Sequence, residues 1–116
     1  MVLAYLGDGA IEILTREKLV LTGNVPAEQL HTKALLFVRA ADQSKALENI
    51  LPVLSAEELE IYKRGRNAKS KVPKSASPID YRRATGLECL FGYLYLSGNQ
   101  NRARELFDAA YAHVVL

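Results

Sequence analysis

Apolar residues recur at three- and four-residue intervals along most of this sequence, which is the spacing of amphipathic helices. No segment keeps the two-residue alternation of a half-buried strand, and no internal repeat is present. The sequence therefore predicts an all-α fold of five to six helices or more. At 116 residues the chain suits one domain better than two, so we expect residues 1–116 to form one domain.

Glycine, proline and capping residues predict where the helices begin and end. A capping box, Ser55 followed by Glu58, marks the start of one helix. Between Asn67 and Pro78 the sequence loses its helical period and is rich in Lys, Ser, Ala and Pro, which predicts a surface loop. The predicted helices are Val2 to about Leu21, about Pro26 through Val38, Asp42 to about Val53, Ser55 to about Arg66, Ile79 to about Ser97, and about Asn101 to His113. On the first helix the apolar residues that show the helical period are Leu3, Leu6, Ala10, Ile13 and Leu14, and Leu21 can extend the series.

Positive charge is concentrated in one segment, although the net charge of the chain is only +2. Residues 61–75 carry no acidic side chain and six basic ones: Lys63, Arg64, Arg66, Lys69, Lys71 and Lys74. Such a concentration favours binding of a polyanion. The alternative is a solvated surface, or a set of cations that complements the carboxyl end of a helix.

The side chains around these cations suit a nucleic-acid backbone. Arginine and lysine contact phosphates, and Asn67 and Ser70 can donate hydrogen bonds to a phosphate or a 2′-hydroxyl. Tyr81, Arg82 and Arg83, at the start of the fifth helix, can extend this surface. Few aromatic residues are interleaved with the cations, so a double-stranded backbone fits better than stacked single-stranded bases.

Several other classes of protein are disfavoured by composition. The single cysteine, Cys89, lies in an apolar run and is expected to pack rather than to react. His31 and His113 are isolated from other zinc ligands, and neither a nucleophile elbow nor a glycine-rich phosphate loop is present. No apolar stretch approaches the roughly 20 residues of a membrane span, and no signal peptide is visible, so we expect a cytoplasmic protein.

Two carboxylates interrupt otherwise apolar helices. Asp8 stands between two glycines, and Glu88 lies between Gly86 and Gly92. A carboxylate buried in such a segment needs a positive partner, and glycine is tolerated where helices approach closely or a ligand reaches the backbone. The partners are either basic side chains, such as Arg82 or Arg83 for Asp8, or a shared Mg²⁺ ion.

Glu12 lies four residues after Asp8, on the same side of the first helix. It can support a site built on Asp8, but an ion pair with Arg16, four residues further along, is favoured.

These segments resemble the ribonuclease III family. Residues 3–10, LAYLGDGA, resemble its signature helix, and residues 86–96, GLECLFGYLYL, resemble its second acidic helix. The connecting IYKRGRNAKS, followed by VPK, resembles the Mini-ribonuclease III branch in particular. The resemblance extends over essentially the whole chain.

The resemblance implies a helical catalytic domain without a double-stranded-RNA-binding domain, acting as a homodimer with two cutting centres. It implies an endoribonuclease that cuts double-stranded RNA and matures the 23S precursor of large-subunit ribosomal RNA, with a ribosomal protein as a possible partner. Asp8 and Glu88 would be the catalytic residues and the ligands of Mg²⁺, for which Mn²⁺ can substitute. The implied RNA-binding residues are Lys63, Arg64, Arg66, Asn67, Lys69, Ser70, Lys71, Lys74 and Arg82.

The sequence departs from the larger ribonuclease III enzymes at two acidic positions, which are Ala4 and Thr85 here. Of the four metal-site acids in the larger enzymes, only two, Asp8 and Glu88, have counterparts in this chain. Mini-ribonuclease III shares this reduction. The number of metal ions that the site binds therefore stays open. Relatives tend to have a segment before the signature helix, so we expect a chain that starts at Met1 to be less stable or active. The alternative functions are a non-catalytic RNA-binding or ribosome-assembly module on the same fold and, less favoured, a DNA-binding protein.

Overall fold

A computed structural model describes residues 2–69 and 71–116 of the chain. Within these residues there are six α-helices, two short 3-10 turns and no strand, which confirms the all-α prediction. The helices are α1 (Val2–Thr22), α2 (Leu30–Val38), α3 (Ala40–Ile50), α4 (Ala56–Asn67), α5 (Pro78–Leu96) and α6 (Gln100–Ala110). The 3-10 turns are Ala27–Gln29 and Leu51–Val53.

The capping box predicted before α4 is confirmed. The backbone N–H of Glu58 donates to the Ser55 hydroxyl at 3.1 Å, and the backbone N–H of Ser55 donates to Glu58 Oε1 at 2.8 Å. Two other helices, α2 and α3, begin at residues other than those predicted. The segment after Pro26 is a 3-10 turn, so α2 begins at Leu30, and α3 begins at Ala40, two residues earlier than predicted.

Helix α5 lies at the centre of the fold and packs against α1, α3, α4 and α6. The core around it is aliphatic toward α1 and α3, and aromatic where Phe37, Phe107 and Tyr111 cluster. The Tyr111 hydroxyl donates to the Phe37 carbonyl at 2.6 Å, which satisfies the one polar group of that cluster. Cys89 is buried in this packing, as predicted.

Two pairs of glycines let neighbouring helices touch α5 through their backbones. A Cβ atom on Gly7 would lie 1.6 Å from the Glu88 carbonyl oxygen, and one on Gly92 would lie 2.0 Å from the Leu3 carbonyl oxygen. On the other side of α5, a Cβ on Gly65 would lie 2.9 Å from the Cα atom of Gly86. Helices α1 and α4 therefore approach α5 more closely than side chains would allow.

The periodic apolar residues of α1 do not all face the core. Leu6, Ile13 and Leu21 are exposed. The buried residues include Gly7, which touches the Glu88 backbone of α5, together with Ala10, Ile11 and Leu14. An exposed apolar stripe remains along the outer side of α1, and it consists of Val2, Tyr5, Leu6, Ile13 and Val20.

Two alanine substitutions on α1 test the backbone contact. Gly7→Ala is expected to lower the free energy of unfolding by about 2–4 kcal/mol, because the new methyl group must push α1 away from α5. Gly9→Ala is the matched control: its Cβ meets nothing within 4 Å, so stability is expected to stay unchanged or to rise by up to about 1 kcal/mol. Urea unfolding followed by circular dichroism measures both. Equal stabilities would contradict the contact.

Candidate metal and RNA site

Asp8 and Glu88 come together where α1 crosses α5. Gly7 rests against the Glu88 backbone, and Asp8 is the next residue along α1, so the crossing brings the two carboxyl groups within hydrogen-bonding reach of each other. The structure corrects one expectation, because the Asp8 side chain is exposed and only Glu88 is largely withdrawn from solvent.

The environment of Glu88 strongly disfavours its charged form. Burial raises the pKa of Glu88 to about 8, and the negative charge of Asp8 and the hydrogen bond between the two carboxyl groups contribute to the shift. Without a cation nearby, the Glu88 carboxyl therefore holds its proton at neutral pH. A divalent cation placed between the two groups would offset the repulsion and release that proton.

Basic side chains do not supply the missing positive charge, so the ion-pair alternative is wrong for Asp8. Within residues 2–69 and 71–116, neither Asp8 nor Glu88 forms a salt bridge. Arg83 instead bonds Glu48, with 2.8 Å between Nη1 and Oε1.

Two carboxylates without a basic partner suit a hard cation that prefers oxygen ligands. In the described part of the chain, no third histidine, cysteine or acidic side chain joins them in a metal-binding group. A cation such as Mg²⁺, which keeps several of its waters when protein-bound, fits so small a ligand set.

Glu12 takes the role that the sequence favoured. Its Oε1 lies 2.7 Å from Arg16 Nη2, in an exposed pair along one side of α1. Thr85, at one of the two positions where the larger enzymes have an acid, is buried and donates its hydroxyl to the Tyr81 carbonyl at 3.0 Å. Neither residue joins the carboxyl pair.

The basic segment spans the last turn of α4 and the loop that follows. Four of the predicted RNA-binding residues line one polar depression of about 390 Å³: Arg66, Asn67, Lys69 and Arg82. Arg64 points elsewhere and pairs with Glu60 at 3.6 Å, while Lys63, Lys71 and Lys74 are exposed outside the depression. Ser70 lies outside the described residues.

A cavity of about 590 Å³ between α1 and α2 was not anticipated. Its rim is polar, with Asp8, Arg16 and His31, and most of its wall is aliphatic, from Leu19 on α1 to Val38 on α2. The surplus of apolar residues on α1, which is more than one buried side requires, is the sequence signal that points to this surface.

Known proteins resemble this chain along most of its length. The family model of the ribonuclease III domain matches residues 1–99. The chain belongs to the ribonuclease III family, whose members are metal-dependent endoribonucleases acting on double-stranded RNA and are generally dimeric.

Its relatives place it in the Mini-ribonuclease III branch. It is 44% identical to the Mini-ribonuclease 3 of Symbiobacterium thermophilum, over 95% of this chain and 85% of that protein. It is 46% identical to the Mini-ribonuclease 3 of Brevibacillus brevis, over 98% of this chain and 86% of that protein.

A crystal structure of a protein from Fusobacterium nucleatum shares the fold, with a TM-score of 0.79 and 30% identity over 91% of this chain and 85% of that chain. None of the helices in the described residues is long and apolar enough to cross a membrane.

The raised pKa of Glu88 predicts how the metal-free protein responds to pH. Between the ordinary value of 4.5 and about 8, the folded state keeps a proton that the unfolded state loses. The contribution of Glu88 to stability is therefore complete below pH 4.5 and is lost as pH rises to about 8. Because the side chain keeps some contact with solvent, we expect a loss of about 1–3 kcal/mol, less than the shift alone implies.

Glu88→Gln removes this titration, and Glu12→Gln is the control on the same surface. Urea unfolding in EDTA at several pH values is expected to show Glu88→Gln gaining stability relative to the unmodified chain as pH rises, with no such trend for Glu12→Gln. A stability difference for Glu88→Gln that stays constant across this range would contradict the assigned pKa.

Proposed function

We propose that this chain is a Mg²⁺-dependent endoribonuclease that cuts double-stranded RNA, with Asp8 and Glu88 holding the metal. The observation that carries the proposal is the pair of carboxyl groups at the α1–α5 crossing, close enough to repel each other and without a basic partner among the described residues. These two carboxyl groups lower the stability of the fold, and a protein that only binds RNA would gain nothing from keeping them.

Each carboxylate has a distinct part in the proposed mechanism. A bound Mg²⁺ would supply an activated water and would stabilise negative charge on the phosphate. Glu88, withdrawn from bulk water, would hold the cation with little dielectric screening. Asp8, exposed beside it, would be open to an approaching RNA phosphate. The contact at Gly7 fixes the separation of the two backbone segments that carry these side chains.

The basic segment would hold the RNA backbone next to this pair. The residues proposed for it are Lys63, Arg64, Arg66, Asn67, Lys69, Ser70, Lys71, Lys74 and Arg82. Contacts of this kind depend on charge, so affinity is expected to fall steeply with salt.

We also propose that a second copy of the chain packs on the apolar stripe of α1. Tyr5 is 87% exposed and Ile13 is 57% exposed, which is unfavourable unless another protein surface covers them. The stripe lies next to the cavity between α1 and α2, which offers an aliphatic wall to an aromatic ring from the second copy. Two-fold packing would use the same stripe on both copies and give two cutting centres, one for each strand.

The physiological substrate we propose is the 23S precursor of large-subunit ribosomal RNA, cut in the cytoplasm by one catalytic domain spanning residues 1–116. Mn²⁺ would substitute for Mg²⁺, and a ribosomal protein would help to present the RNA. The competing proposal is a non-catalytic RNA-binding or ribosome-assembly module on the same fold.

A cleavage assay separates the two proposals. With Mg²⁺ and duplex RNA, Glu88→Gln is expected to cut about 100-fold more slowly or worse, because one of two metal ligands loses its charge. Glu12→Gln should cut at close to the unmodified rate, since Glu12 pairs with Arg16 instead. If the unmodified protein leaves duplex RNA intact, or if Glu88→Gln cuts equally well, the catalytic assignment is wrong.

The proposed dimer has its own test. The double substitution Tyr5→Ser with Ile13→Ser is expected to weaken self-association about tenfold or more, because both side chains lose their apolar contacts. Leu96→Ser, at an exposed apolar residue at the end of α5, should leave the dimer unchanged. Sedimentation equilibrium measures both. A dimer that survives the α1 substitutions would place its interface elsewhere.

A further inference from the structure

The polar depression between the end of α4 and the first turns of α5 differs from the rest of the basic surface. Three cations line it, Arg66, Lys69 and Arg82, and no carboxylate does. None of the three forms a salt bridge within residues 2–69 and 71–116. Three like charges converging without a counter-charge are unfavourable, so the depression suits an anion.

Arg66 is held in place before any ligand arrives. Its guanidinium lies over the Tyr62 ring, with 5.5 Å between Cζ and the ring centroid. Tyr62 is itself buried against Gly86 of α5 and cannot move freely. The Arg66 Nε–H donates to Asn67 Oδ1 at 3.1 Å, and the terminal nitrogens make no other hydrogen bond within the described residues. Because this long side chain is already ordered, it loses less conformational entropy when a ligand binds.

We propose that this depression binds one backbone phosphate of the RNA duplex, separate from the phosphate that is cut. The planar guanidinium groups of Arg66 and Arg82 match a phosphate in geometry, and Lys69 adds a third positive charge. This inference rests on the proposed function, and it assigns unequal roles within the basic segment. Arg64, which lies outside the depression and pairs with Glu60 at 3.6 Å, contributes less than these three.

The position of the depression gives the bound phosphate a second role. Arg82 precedes Glu88 by six residues, which is about 9 Å along the axis of α5. The depression lies toward α4, whereas Glu88 meets α1. A strand held at both places would cross α5 obliquely. The phosphate in the depression would then determine which neighbouring phosphate reaches the carboxyl pair, and with it the position of the cut.

Binding of a short RNA duplex in EDTA, where no cleavage occurs, tests the phosphate site. Arg82→Ala and Arg66→Gln together are expected to raise the dissociation constant about tenfold or more. They should also reduce the slope of log affinity against log salt concentration by about 1, the value for one lost phosphate contact. Arg104→Ala is the control: it removes one positive charge outside the basic segment and should change affinity by less than about twofold, because Arg104 pairs with Glu17 at 2.6 Å.

Two further measurements separate the possible failures. Arg82→Ala alone changes an exposed side chain, so it reports on binding even if loss of Arg66 destabilises the fold. With Mg²⁺, the double variant should cut duplex RNA at more positions than the unmodified chain. A loss of affinity no larger than that of Arg104→Ala, with an unchanged salt slope, overturns the phosphate site. An unmodified chain that binds with the expected slope but never cuts would instead overturn the proposed function and leave the phosphate site standing.

Discussion

The backbone contact between α1 and α5 is the constraint on which the rest of the structure depends. Gly7 and Gly92 carry no side chain at the crossing, so each helix rests directly on a carbonyl group of the other. That contact sets the rotation of α1, which decides which of its apolar residues are buried and which form the outer stripe. It also sets the separation of Asp8 and Glu88, because one adjoins Gly7 and the other is the residue that Gly7 touches.

In the metal-free protein, the same contact lowers the stability of the fold through electrostatic repulsion. Two acids held this close, one of them desolvated, oppose folding once both are charged, and no described basic side chain relieves them. By contrast, the buried Glu58 has Arg102 at 2.8 Å and serves the capping box as well, so this buried acid of the scaffold does have a basic partner. The unrelieved pair is therefore the feature that separates the candidate site from the scaffold.

Sequence reasoning was successful where the determining interactions are local. The capping box at Ser55 and the Glu12–Arg16 pair each depend on residues three or four apart, and the helices follow from the periodicity of short segments. Asp8 and Glu88 are 80 residues apart in the sequence. The prediction that they lie close together therefore came from the family resemblance rather than from their spacing. Periodicity also could not identify the buried side of α1, because that helix is apolar on two sides and the close approach at Gly7 decides between them.

A crystal structure of the chain grown with Mn²⁺, with diffraction recorded at an energy where manganese scatters anomalously, tests the central claim most directly. The account predicts at least one anomalous peak between α1 and α5, about 2.1 Å from a carboxylate oxygen of Asp8 and of Glu88. A peak that contacts neither residue, or a fully ordered site in which a basic side chain lies between the two carboxyl groups, would contradict it.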